Sequence, residues 1–355
     1  MVLNINILIP AIIGITSYIL VPQIIKFTTY LGMKDIPNER SSHKVIKLRG
    51  GGIAIVFSAT LGWSYLFYQN FSYTPFNFSI LFAALMIALI GWIDDKKNVS
   101  AKLRAFIHFL AALIVVQSFK NNLSLSFSPI GTLNNYFAST FSVFYLVWMT
   151  NLFNFMDGID GIATSQAFVV SILSALFAIC NGSFELSLIY FTLAAATAGF
   201  LPYNWQPAKI FMGDVCSGFL GFTLGALSLY GEFKQDLPWG VPVILMGTFI
   251  TDTTVTLIQR ILRKQKFYSA HRDHAYQKAT KLGYSHQTVT LSNIALTCLW
   301  LGPIAFFNLL HPNWTFILLF ISYFPLILIA IFLNAGLPED KSIKSSSTSD
   351  ISIKL

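Results

Sequence analysis

The chain is short of charge. Of its 355 residues only 11% are Asp, Glu, Lys or Arg, while 55% are hydrophobic and 15% aromatic. Soluble domains carry about 25% charged residues, so a soluble enzyme of this size could not cover its surface. The same imbalance excludes a disordered chain and, despite a net charge of +8, a nucleic-acid-binding domain. Cysteine is scarce too. Cys180, Cys216 and Cys298 lie far apart with no C-x-x-C pair, which leaves neither a disulfide framework nor a zinc site. No internal repeat of the kind that marks many transporters is visible. The first apolar segment lacks a preceding basic residue and a following small-residue cleavage site, so it reads as a retained span and not a signal peptide.

What the chain has is long apolar runs. A spanning helix needs roughly 17–25 mostly apolar residues, and eleven segments qualify as candidates: 3–26, 51–68, 79–93, 104–119, 137–153, 162–180, 186–201, 216–231, 239–259, 288–310 and 314–334. The expected fold is an all-α polytopic membrane protein of about 11 transmembrane helices. Residues 1–335 form a single integral membrane domain, and 336–355 a short, polar, Ser-rich tail expected to be disordered. Basic residues set the orientation. Alternate connections hold 21 of the 23 Lys and Arg residues, and the opposite face keeps only Lys120 and Lys234. The N-terminus is therefore expected outside, and the C-terminus and tail in the cytoplasm. The 54 aromatics read as lipid-facing packing and interface belts.

The fifteen acids are few enough for their positions to matter. Asp94 and Asp95 close the third segment, Asp157 and Asp160 lie between the fifth and sixth, and Asp214 precedes the eighth. All five fall on the cytoplasmic side. A single Asp at a helix end can be an N-cap. Five acids converging from three connections, one of them without Lys or Arg, call for a partner, because uncompensated charge near lipid is costly. A divalent cation would serve, and hard oxygen ligands suit Mg²⁺ or Mn²⁺. From Asn151 through Asn154 and Asp157 to Asp160, polar residues recur every third position, which on a helix makes one polar face. The small-residue turn before Asp214 suits an anion and its metal at a helix start. Arg49-Gly50-Gly51-Gly52 opens the second segment in the same way, although a Gly run is often only a flexible entry. His271 and His274, three apart, could share a helix face and bind a metal, but beside Arg272 in a connection with seven basic residues they read more as a phosphate clamp. His43 is ambiguous, and His108, His286 and His311 show no cluster and read as structural. Together these groups suit phosphoryl transfer, in which a protein mainly positions groups and offsets charge.

Four motifs in order carry a resemblance: Asp94-Asp95-Lys-Lys-Asn98 with Lys102 and Arg104; Asn151-x-x-Asn154-x-x-Asp157-Gly-Ile-Asp160-Gly; Pro207-Ala-Lys209-Ile-Phe-Met-Gly-Asp214; and His271 to Gln277. A fifth runs from Pro37-Asn-Glu-Arg40-Ser-Ser-His43 to Arg49-Gly-Gly-Gly. Over about residues 35–285 the chain resembles the polyprenyl-phosphate N-acetylhexosamine-1-phosphate transferases, the WecA/MraY superfamily. It is most similar to the WbpL-like branch that initiates O-antigen. It departs in Asn98, where many relatives carry a third Asp, in Cys216, where Gly is common, and in Ile46 and Leu48, which replace prolines.

The resemblance implies a Mg²⁺-dependent transferase that moves N-acetylhexosamine 1-phosphate, or a 6-deoxy derivative, from a UDP-N-acetyl sugar to undecaprenyl phosphate. The product is the start of a lipid-linked glycan for lipopolysaccharide and the cell wall. The setting implied is the bacterial inner membrane, with the site on its cytoplasmic face. Asn154 and Asp214 are expected to hold the metal. Asp94, Asp95, Asp157 and Asp160 are expected in the catalytic centre, and Arg40, His43, Arg49, Lys102, Arg104, Asn151, Lys209, His271, Arg272 and His274 against substrate. Whether the chain acts alone or as a homodimer is open. Three other readings stand beside this one. An anion transporter would place charge within spans, where only Asp252 lies. A CDP-alcohol phosphotransferase needs Arg where Thr164 follows Asp160-Gly-Ile-Ala163. A scaffold leaves the acids without a purpose.

Overall fold

The protein is described from a computed structural model over residues 2–35, 46–69, 75–119, 125–126, 132–133, 135–265 and 271–338. In chain order the helices are α1 (Val2–Tyr30), α2 (Ile53–Gln69), α3 (Pro75–Lys97), α4 (Ala101–Ser118), α5 (Asn135–Met156), α6 (Ile162–Cys180), α7 (Phe184–Asn204), α8 (Asp214–Lys234), α9 (Gly240–Leu245), α10 (Gly247–Leu262), α11 (Ala275–Lys281), α12 (His286–Ala295), α13 (Gly302–Leu310) and α14 (Thr315–Phe332). Two short antiparallel pairs interrupt them, β1 (Lys34–Asp35) with β2 (Lys47–Leu48) and β3 (Leu125–Ser126) with β4 (Thr132–Leu133). Apart from those pairs the described residues form an all-α fold.

Each expected apolar segment is helical, with two refinements. Segment 239–259 is two helices, α9 and α10, that meet at Met246. Segment 288–310 runs from α12 through a π-helical stretch, Leu296–Leu301, into α13. The break at Met246 is compensated. Gln166 Nε2 on α6 donates to the Leu245 carbonyl at 3.0 Å, and Gln166 Oε1 accepts from Asn293 (2.8 Å) and Thr297 (3.1 Å). Irregular backbone at membrane depth requires such internal partners.

Among the described residues, seven helical stretches are long and apolar enough to cross a membrane: Asn6–Tyr30, Asn77–Lys97, Ala101–Ser118, Ile162–Cys180, Phe184–Asn204, His286–Leu310 and Pro312–Phe332. α8 is not among them, and its burial explains why. Every residue from Val215 to Gly231 is enclosed by other helices, so its sequence answers to neighbours and not to lipid. A Cβ at Gly221 would strike the Met149 carbonyl of α5, so glycine is what lets these two helices touch. The outer helices show the opposite pattern. Ile7, Leu8, Ile12, Ile15 and Ile19 of α1 and Phe320, Phe324, Leu328 and Ile331 of α14 are exposed. Apolar surface on that scale marks contact with an apolar medium.

Candidate active site

The site is built where the C-terminal end of α3 meets the first turn of α8. Gly91 permits the approach, since a Cβ there would fall 2.2 Å from the Asp214 carbonyl oxygen. One turn on, Asp95 accepts the Asp214 N–H at 2.9 Å and the Val215 N–H at 3.0 Å. A carboxylate at a helix start satisfies orphan donors and complements the helix dipole. Here that carboxylate comes from another helix.

Arg49 reaches the same point along a ribbon. β2 runs beside Ile210, with Phe211 N–H donating to Leu48 O (2.8 Å), Gly51 N–H to Phe211 O (2.9 Å) and Gly52 N–H to Met212 O (2.9 Å). The Gly run is therefore a close-packing device and not a flexible entry. A Cβ on Gly51 would meet Phe200 and Ile210, and one on Gly52 would strike Cys216. Arg49 then bonds Asp95 through Nε at 2.7 Å and Asp214 through Nη2 at 2.5 Å. Burial works against its charge, but Asp214 and Asp95 more than offset that and hold the guanidinium firmly protonated. Arg104 on α4 completes the network, bridging Asp94 (2.6 Å) and Asp214 (3.2 Å). Asn98 ends α3 with positive φ, and its N–H donates to Asp94 O.

Asn154, near the end of α5, donates to Ser217 Oγ at 3.1 Å, against the first turn of α8. Asn151 donates to its own helix at Val147 O. α5 stops at Met156, so the expected polar face is a helix for the two asparagines and a turn for Asp157 and Asp160. Asp157 is half-buried. Burial, and then the negative charges of Asp214 and Asp95, push its carboxyl up to about 7. Asp160 shifts the other way. Burial would raise it, but His286 and the Ala208 N–H (3.0 Å) hold it below the usual carboxylate range. His286 Nδ1 lies 3.5 Å from Asp160 Oδ1.

The His271–Gln277 segment is bolted onto the end of α5. Tyr276 Oη donates to Phe155 O at 3.0 Å, and His274 stacks between Phe155 and His271. Asp252 anchors the segment by accepting the Ala275 and Tyr276 N–H groups at 2.8 and 3.0 Å, with His274 Nδ1 at 3.3 Å.

Asp95 has a fully enclosed side chain whose oxygens meet Arg49 and the α8 start. His274 is 2% exposed and turned to Asp252, so it holds its loop. Burial, then His274 and Arg260, pull His271 down to about 4. Lys209 is exposed and sits over the Tyr203 ring, 5.6 Å from its centroid, and Lys102 is exposed. Arg272 is half-buried, and its carbonyl accepts from Lys281. Arg40 and His43 lie outside the described residues. Two residues of this neighbourhood carry no local signal in the sequence: Lys47, which donates to Ala208 O, and His286, beside Asp160.

An apolar cavity of about 520 Å³ opens onto this cluster. Ile87, Phe144, Val147 and Trp148 are among its walls, and Arg104, Asn154 and Asp214 sit at its polar end. Among the described residues no group of three or more His, Cys, Asp or Glu is arranged to hold a metal ion. The oxygens present still fit Mg²⁺, which is commonly bound by one or two carboxylates together with substrate phosphates and not by a complete protein cage.

An acidic patch bridged by arginines lies at the mouth of an apolar cavity, in a protein whose long apolar helices mark it as a multi-pass membrane protein. Residues 77–232, which contain all five clustered aspartates and Asn154, match glycosyl transferase family 4. The chain is 32% identical over 269 residues to the probable undecaprenyl-phosphate N-acetylglucosaminyl 1-phosphate transferase of Bacillus subtilis (strain 168), covering 74% of this chain and 73% of that one. It is 28% identical over 308 residues to the decaprenyl-phosphate N-acetylglucosaminephosphotransferase of Mycobacterium tuberculosis (strain ATCC 25618 / H37Rv), with 78% and 75% covered. A phospho-N-acetylmuramoyl-pentapeptide-transferase of a Wolbachia species is 31% identical over 225 residues, with 59% and 66% covered. The chain belongs to glycosyl transferase family 4, within the WecA/MraY superfamily.

Proposed function

We propose that the protein transfers N-acetylhexosamine 1-phosphate, or a 6-deoxy derivative, from a UDP-sugar to undecaprenyl phosphate, releasing UMP and starting a lipid-linked glycan of the O-antigen type. The observation that carries this is the junction of the apolar cavity with Asp94, Asp214, Arg49, Arg104 and Asn154. A polyprenyl tail fits the apolar walls, and its phosphate belongs at the polar end beside Arg104. The patch faces the cytoplasm of the bacterial inner membrane, where the basic connections lie and UDP-sugars are supplied.

An oxygen of the acceptor phosphate attacks the sugar-bearing phosphorus of the donor. One P–O bond forms, the bond to the bridging oxygen breaks, and UMP leaves with the displaced electron pair. Arg49 and Arg104 offset the charge of the two phosphorylated substrates. Asp214 and Asn154 would hold Mg²⁺, or Mn²⁺ in its place, which supplies positive charge to the diphosphate when bound. Asp160, set by His286 and Ala208, orders the nucleotide side. No general base is required, since a phosphate monoester with a second pKa of about 6 is largely ionised near neutral pH. Asp95, expected with Asp94 beside the acceptor phosphate, is bonded to Arg49 and to the start of α8.

The transporter reading loses its footing, because Asp252 serves as a cap for α11. The test is a membrane assay with undecaprenyl phosphate and a panel of UDP-sugars, following UMP with and without Mg²⁺. The expected result is UMP release that needs both lipid and cation. Vesicle transport without UMP release would overturn the proposal.

A further inference from the structure

His108 lies on α4 one turn past Arg104, and both side chains line the 520 Å³ cavity. Residues four apart share a helix face, and the two positions are about 6 Å apart along the axis. The imidazole is nine-tenths buried, and its Nδ1 is enclosed without a hydrogen-bond partner. An enclosed lone pair is a more tolerable defect than an enclosed N–H, since orphaned donors are the rarer of the two. In the neutral ring the proton therefore belongs on Nε2, which leaves Nε2–H as the donor toward the cavity the ring lines. Walls such as Ile87, Phe144, Val147 and Trp148 surround that donor, and an oxygen of a ligand in the cavity gives it a partner.

We infer that His108 is a further binding residue for the acceptor lipid: its Nε2–H bonds a phosphate oxygen from the tail side while Arg104 neutralises the same group from the cytoplasmic side. This rests on the acceptor role proposed for the cavity. It gives the site a means of distinguishing a lipid phosphate from a lipid tail alone.

The test uses the full-length protein purified in detergent. Acceptor and donor KM are read from UMP release, and undecaprenyl phosphate binding is read separately from the thermal shift it produces without donor. Gln places its Nε2 near that of His, whereas Asn places its amide near Nδ1 and Leu removes the donor. Loss of one hydrogen bond to a charged group is expected to raise the acceptor KM about tenfold in His108→Leu and His108→Asn, with the donor KM within about twofold. His108→Gln should restore most of the acceptor KM and of the lipid-induced shift. An active wild type whose Leu variant keeps its acceptor KM overturns this inference alone, as does equal rescue by Asn and Gln or an equal rise in both KM values. If the Leu variant does not fold, the Gln and Asn pair decides. A wild type that releases no UMP from any UDP-sugar removes the transferase proposal and this inference with it.

Discussion

Asp95 and Asp252 perform the same local task in two places. Each is a buried carboxylate on one helix that accepts two N–H groups from the first turn of another, Asp95 from α8 and Asp252 from α11. Their surroundings differ. Around Asp95 the capped helix begins with a second carboxylate, Asp214, and two arginines bridge the cluster at the mouth of the cavity. Around Asp252 the capped helix begins with Ala275, and stacked His274, His271 and Tyr276 close over it. One cap aims a charged residue at open space, and the other fixes a loop. The function of a buried acid therefore depends on what its capped helix presents.

The largest expected effect tests the first region. Asp214→Ala should lower activity at least about a hundredfold and blunt its response in a Mg²⁺ titration; an unaltered Mg²⁺ dependence breaks the ligand assignment. Next, Asp95→Ala and Asp252→Ala each strand two buried N–H groups, at about 1–3 kcal/mol per group, so both should lower the Tm. Below both melting points, only Asp95→Ala should also cut kcat by about tenfold or more. Equal loss of kcat in the two variants would erase the contrast. Gly91→Ala should follow, because its Cβ must displace the Asp214 backbone and overpacking typically costs about 1–3 kcal/mol. Gly302→Ala, with ordinary contacts only, is the control and should leave activity unchanged.

The smallest effect is in pH. Asp157 holds its proton up to about 7 in the folded protein, against about 4 in the unfolded chain. Between those values the folded state binds the extra proton, so its contribution to stability declines as pH rises from about 4 to 7 and is flat above. Without divalent cation, the Tm of the wild type should fall more steeply than that of Asp157→Asn across this window. Parallel curves would show that Asp157 is not the group responsible.

The carriers of the site were legible because acids are scarce in a chain of this composition, and their helix-end positions singled out Asp94, Asp157 and Asp214. Their partners were not. Arg49 meets Asp214 across 165 positions, and His286 meets Asp160 across 126, with no local pattern to link either pair. The apolar segments gave the helices, but hydropathy runs unbroken through Met246 and concealed the division of α9 from α10. The polar spacing from Asn151 to Asp160 suggested a continuous helix face because spacing alone does not register that the chain turns after Met156. Conversely, the central α8 carries a weaker apolar signal than its burial would suggest, since enclosure by protein relaxes the demand for lipid-facing side chains.

The end of α14 gives the fold an order of assembly. The Gly336 N–H donates to the Asp273 carbonyl, and Lys278 reaches the carbonyl of Leu337, 59 positions later. The loop that stacks against α5 is thus made long before the strap that fastens it. A nascent chain still on the ribosome would carry every aspartate of the cluster, and the Asp252 and Phe155 anchors of that loop, before this last fastening could be made.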